Sequence, residues 1–154
     1  MRVQDYIADQ AREAAAQAFR YAKAVPADKL DWAPEGGRTV LGMCRELALC
    51  PTWALVAFGQ EIWNDEVQRA AREQEATWTT AAACEAEFAR RFDPLDIFLR
   101  GMTDEDLSRT KWLPYNGGRD HTWLEMTDYV RWNCTYHTGQ IAYIQTLYGD
   151  KTDY

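Results

Sequence analysis

Two polar side chains interrupt an otherwise apolar stripe near the end of the sequence. Met126, Val130, Ile141, Ile144 and Tyr148 recur at helical spacing, and Asn133 and His137 occupy the positions between them. Four residues are about one helical turn, so this amide and this imidazole converge on one point. Glu46 is a third irregularity, because it shares a face with Met43, Cys50, Trp53 and Ala57. A carboxylate drawn into an apolar face needs a partner. Glu46, Asn133 and His137 can answer that need in two ways. As metal ligands they offer a carboxylate, an amide oxygen and an imidazole to a divalent ion and leave positions open for water or substrate, with Asn133 the weakest donor. Without metal, Glu46 and His137 form a buried hydrogen-bonded pair that fixes the register of two helices. Taken alone, a histidine on an apolar face is more often satisfied by a neighbour than used as a ligand.

The surrounding residues add less. Gln140 lies one turn beyond His137 and is read first as a structural hydrogen-bond donor to backbone, second as a group that orients a ligand. Tyr136 and Tyr143 are offset from the inward stripe, placed for a neighbouring helix or a second subunit, and His121 reads as exposed loop. Cys134 has no cationic neighbour to stabilise a thiolate and reads as apolar filler.

Four helices are needed to position these groups. Val3, Ile7, Ala11, Ala14, Ala18, Tyr21 and Val25 predict helix over 3–24, followed by a connection that begins at Pro26 and ends near Gly37. A second helix is expected from Thr39 to about Trp63, with Pro51 kinking it in preference to breaking it. Residues 64–78 are charged, with a weak stripe, and form a crossover able to hold a short exposed helix. The third helix spans 80–101 with a bend at Pro94, and Thr103 to Leu107 reads as a short capped turn. Thr122-Trp123-Leu124-Glu125 has the form of a capping box and opens the last helix. That helix is expected to run to Tyr148, before Gly149, as one element of about 27 residues and roughly 40 Å. No alternating strand pattern and no repeat is present, so the fold class is an all-α four-helix bundle, one domain over 1–154.

Composition narrows the partners. A formal charge of −7 without a Lys/Arg cluster argues against nucleic acid as a partner. There is no run of about 18 apolar residues and no secretory pattern at the start, which points to a cytoplasmic protein with no membrane partner. Cys44, Cys50, Cys84 and Cys134 form no C-x-x-C pair and are expected as free thiols. Aromatic residues make up 13 % of the chain, which suits a plain core or a pocket of large side chains, with the core favoured.

The stretch Trp132-Asn133-Cys134-Thr135-Tyr136-His137-Thr138-Gly139-Gln140-Ile141, with Leu147-Tyr148-Gly149-Asp150, resembles the C-terminal signature of DinB/YfiT-like proteins, which are unrelated to the DNA polymerase sharing that name. Val25-Pro26-Ala27-Asp28-Lys29-Leu30-Asp31-Trp32 with Pro34, Thr39-Val40-Leu41-Gly42 and Thr103-Asp104-Glu105-Asp106-Leu107 extend the resemblance over most of the chain. It implies an up-down-down-up bundle, a homodimer, and a divalent metal held by three histidines, whose places here are taken by Glu46, Asn133 and His137. It also implies a thiol-dependent transferase or isomerase. The function expected is therefore a small-molecule transferase or related enzyme, using zinc, nickel, manganese or iron at these three residues and a low-molecular-weight thiol. The alternative is a metal-free binding or dimerisation module built on the Glu46–His137 pair.

Overall fold

The computed structural model describes residues 1–150 and 154, with Asn116 described by its backbone only. Four long helices carry the architecture: α1 (Val3–Ala24), α2 (Val40–Phe58), α4 (Ala81–Gly101) and α7 (Tyr129–Leu147). Between them lie α3 (Asp65–Glu75), α5 (Asp104–Leu107), a hairpin of β1 (Thr110–Leu113) and β2 (Arg119–Thr122), and α6 (Trp123–Thr127). Side-chain hydroxyls start the helices where expected: Thr39 accepts from the Gly42 N–H, Thr80 from Ala83, and Thr122 with Glu125 completes a capping box.

Cross-helix contacts fix the directions. Phe58 packs on Phe98, and Arg91 donates to Thr52, so α2 and α4 run parallel. Gln145 donates to the Tyr21 carbonyl, and Tyr6 and Ile7 share a cleft with Thr127 and Arg131, so α1 and α7 also run parallel. Lys23–Glu85 and Arg100–Asp9 make α1 antiparallel to α4. Glu46–His137 and Cys50–Asn133 make α2 antiparallel to α7.

The buried apolar residues of all four helices form one cluster. Helix α2 is apolar nearly all round, which gives it the length and composition of a membrane span, yet 67 % of that window is buried in the bundle. Contact with both α4 and α7 accounts for its apolarity.

Several boundaries differ from expectation. Helix α2 ends at Phe58 because Gly59 adopts φ 76, and its amide closes on the Leu55 and Val56 carbonyls. Pro51 and Pro94, by contrast, lie inside continuous helices, as expected in preference to a break. The crossover contains α3, capped by Asn64, and it buries Ala71. The last helix is divided at Asp128 into α6 and α7. There the Thr127 hydroxyl takes the Leu124 carbonyl at 2.6 Å, and the Asp128 N–H turns to Glu125 instead, tightening the turn. The hairpin was not anticipated; it pairs Thr110 with Thr122 through Leu113 with Arg119.

The buried face of α1 is turned from the expected one. Ala11, Ala18 and Val25 are buried, but Val3 is exposed, and Gln4, Ala8, Ala15, Phe19 and Ala22 complete the face. Gln4 offsets its burial by donating to Asp104 at 2.8 Å. The alanines leave α1 a small-residue face for α7 and α4.

Candidate metal centre

The antiparallel crossing of α2 and α7 sets two pairs of side chains opposite each other, one turn apart. Glu46 faces His137, and Cys50 faces Asn133. His137 and Asn133 are buried, at 1 % and 3 % exposure, while the Glu46 side chain keeps 24 %. His137 Nε2 lies 3.1 Å from Glu46 Oε1, and His137 Nδ1 lies 2.7 Å from Gln140 Oε1. Arg38, from the connection before α2, pairs with the other Glu46 oxygen. The hydrogen bond from His137, aided by Arg38, outweighs partial burial and pulls the Glu46 carboxyl down to about 2.

A carboxylate can only accept, and Gln140 presents its carbonyl oxygen to Nδ1 while its amide reaches the Tyr136 hydroxyl at 3.2 Å. Both ring nitrogens of His137 are thus engaged, Nδ1 with Gln140 and Nε2 with Glu46.

The expected set is thus brought together in part. Glu46 and His137 meet directly, whereas the Asn133 amide donates to Cys50 Sγ at 3.6 Å. Among the described residues no group of three His, Cys, Asp or Glu side chains is arranged for a metal, so a third protein donor would be an oxygen of another kind, such as the Asn133 amide. The donor pair fits an ion: ligands each about 2.1 Å from a divalent cation stand roughly 3 to 3.4 Å apart, and these stand 3.1 Å apart. A carbonyl on the far ring nitrogen is also the usual way a ligating histidine is oriented. Arg38 opposes cation binding by occupying Glu46 Oε2.

Three readings of neighbouring residues change. Gln140 bonds to the His137 ring, not to backbone. His121 lies in β2, only partly exposed, with Nε2 closed off and without a hydrogen-bond partner among the described residues. Tyr136 and Tyr143, expected against a neighbouring helix or a second subunit, are 51 % and 61 % exposed. All four cysteines are free and buried; burial pushes Cys44 and Cys50 up to about 12, which keeps them protonated.

Next to this centre is a cleft of about 460 Å³ between α2, the hairpin, α6 and the start of α7. Trp53 and Tyr129 are among its walls, and Tyr129 lies beside Cys50, which accepts from Asn133. The sequence reading missed this cleft because it missed the hairpin. The turn residues Asn116-Gly117-Gly118, between the short runs that end at Leu113 and Thr122, were the available signal.

No family model matches the sequence, and no curated protein matches it. Among solved structures, the chain resembles YfiT from Bacillus subtilis with a TM-score of 0.75 and 15 % identity, over 96 % of this chain and 89 % of that one. The fold is DinB/YfiT-like. YfiT is described as a probable metal-dependent hydrolase with an unusual four-helix bundle topology. At this identity the likeness to YfiT concerns the fold, and the chemistry rests on the residues present in this bundle.

Proposed function

We propose that this protein is a divalent-metal-dependent enzyme acting on a small molecule, with Glu46 and His137 as the main ligands and Asn133 as a weaker third. The observation that carries this reading is the His137 ring, fixed by Gln140 at one nitrogen and aimed at a carboxylate oxygen with the other. The description of YfiT as metal-dependent supports it. A bound zinc, nickel, manganese or iron ion would supply Lewis-acid activation of a thiol or water for attack on an electrophile.

The chain's own residues hold and aim. Gln140 orients the His137 ring through Nδ1 and turns Nε2 toward Glu46. Arg38 holds the Glu46 carboxylate in place and draws away part of its charge. Asn133 can present its oxygen only by a rearrangement that keeps or releases the Cys50 contact. The adjacent cleft provides room for the substrate, and a low-molecular-weight thiol is the co-substrate we assign. The reaction class is transfer to or from that thiol. Tyr136 and Tyr143, exposed on α7, are placed for a second copy of the chain. We take the protein to be cytoplasmic, without nucleic-acid or membrane partners.

The decisive measurement is the metal content of untagged protein, repeated on Glu46→Ala and His137→Ala. Stoichiometric metal in the parent, lost in both variants, is expected. A parent that holds no zinc, nickel, manganese or iron even after their addition overturns the enzyme reading.

One observation favours a second reading. Glu46 is already bonded by both His137 and Arg38, so a metal-free binding or dimerisation module is also consistent with its surroundings. A metal-free parent of unchanged stability would select it.

A further inference from the structure

Four aromatic rings, from Trp53, Tyr115, Tyr129 and Trp132, line the cleft beside α6, together with the carboxylates Glu125 and Asp128. Among the described residues, no lysine or arginine lines it. Two of these rings are costly to leave in water: Tyr115 is 62 % exposed and Trp132 52 % exposed. Trp132 is stiffened by stacking on Tyr136, with centroids 5.5 Å apart and planes at 11°.

The volume lies within the usual range for small-molecule sites, roughly 300 to 1,000 Å³. Ring faces carry negative quadrupole density and attract a cation held over them. Arg119 reaches both oxygens of Glu125 and Arg131 both oxygens of Asp128, so these carboxylates are largely neutralised and the rings supply most of the attraction. The chain's charge of −7 adds a long-range preference for cations over anions. A neutral aromatic ligand would also stack here, but it would gain nothing from the carboxylates.

We propose that this cleft binds a small organic cation, an alkylated ammonium group, between the faces of Trp53, Tyr115, Tyr129 and Trp132. The cleft is the one assigned above to the substrate, and the proposal deepens that reading; Glu46 and His137 are not among its lining residues, so binding there is testable without metal. It assigns the ligand's charge and shape, which the metal centre leaves open.

Choline and its neutral isostere 3,3-dimethyl-1-butanol have nearly the same shape and differ in charge, so they form the test. Both are titrated into the full chain in EDTA, with sodium chloride holding ionic strength constant, and the tryptophan indole N–H signals are followed by NMR. Choline is expected to shift the Trp53 and Trp132 signals and to bind at least about tenfold more tightly than the isostere. Trp132→Leu and Tyr115→Leu should each weaken choline about tenfold. Equal binding of the two compounds overturns the proposal, as does choline leaving both indole signals unmoved. Circular dichroism checks folding, and if Trp132→Leu does not fold, Tyr115→Leu on the exposed hairpin carries the test.

Discussion

Removing either partner of the Glu46–His137 pair should destabilise the bundle, and removing both should cost less than the two losses added together. Glu46→Ala leaves the Nε2 of a ring that is 1 % exposed facing the small void left by the carboxylate. An orphaned buried donor of this kind costs about 2 kcal/mol. His137→Ala deletes a buried ring between α2 and α7 and leaves a cavity, at about 3 kcal/mol. Glu46 then keeps Arg38 and a quarter of its exposure, so it is not stranded. The double variant removes both the orphan and its cause, and a coupling energy of about 1 to 2 kcal/mol is expected. The assay is urea unfolding at neutral pH in EDTA, so that metal linkage does not contribute. Thermal midpoints should fall by about 2 to 4 °C per kcal/mol for a chain of this size. A coupling energy under about 0.5 kcal/mol would refute the direct pairing of Glu46 with His137.

Three further outcomes follow from the same geometry. The folded Glu46 carboxyl titrates near 2, below its ordinary 4.5, so its contribution is complete above 4.5 and is lost as pH falls through about 2. Urea midpoints of Glu46→Gln should therefore fall less steeply than the parent's over that range, and parallel curves would contradict the assignment. Gln140→Leu removes the acceptor on His137 Nδ1 and should weaken metal binding by about 10- to 100-fold, measured by competition with a chelating dye. Unchanged affinity would show that Gln140 does not orient the ring. Ala11→Leu forces a larger side chain into a fully buried position on α1 and should cost about 1 to 3 kcal/mol in urea unfolding, whereas a neutral result would mean that α1 is not closely packed there.

The four long helices were legible because their apolar spacing and caps act locally. Thr39, Thr80 and Thr122 mark starts that depend only on the next turn of backbone. The pairing of Glu46 with His137 was also legible, since each is a polar break in an apolar face and each needs a partner. What escaped depends on competition between groups. The Thr127 hydroxyl competes with a backbone amide for one carbonyl and divides the last helix. The face of α1 is set by which neighbours it meets, and its many alanines fit several rotations almost equally well. Gln140 could bond backbone or ring, and only the packed position of His137 decides between them. His121 looked exposed because the hairpin that shelters it is too short to show a clear alternation.

The parallel pairing of α1 with α7 has a consequence for synthesis. Helix α1 is made before the other elements of the bundle and packs against α7, the last of them, so one of its main partners is absent until the rest of the bundle has been made. A face of leucines or phenylalanines would expose sticky surface throughout that interval. The face of α1 toward its partners is instead mostly Ala8, Ala11, Ala15, Ala18 and Ala22, which offer little surface to a wrong partner while the chain is unfinished. The same small side chains that allow close approach at the end make the nascent helix a poor target for misassociation before it.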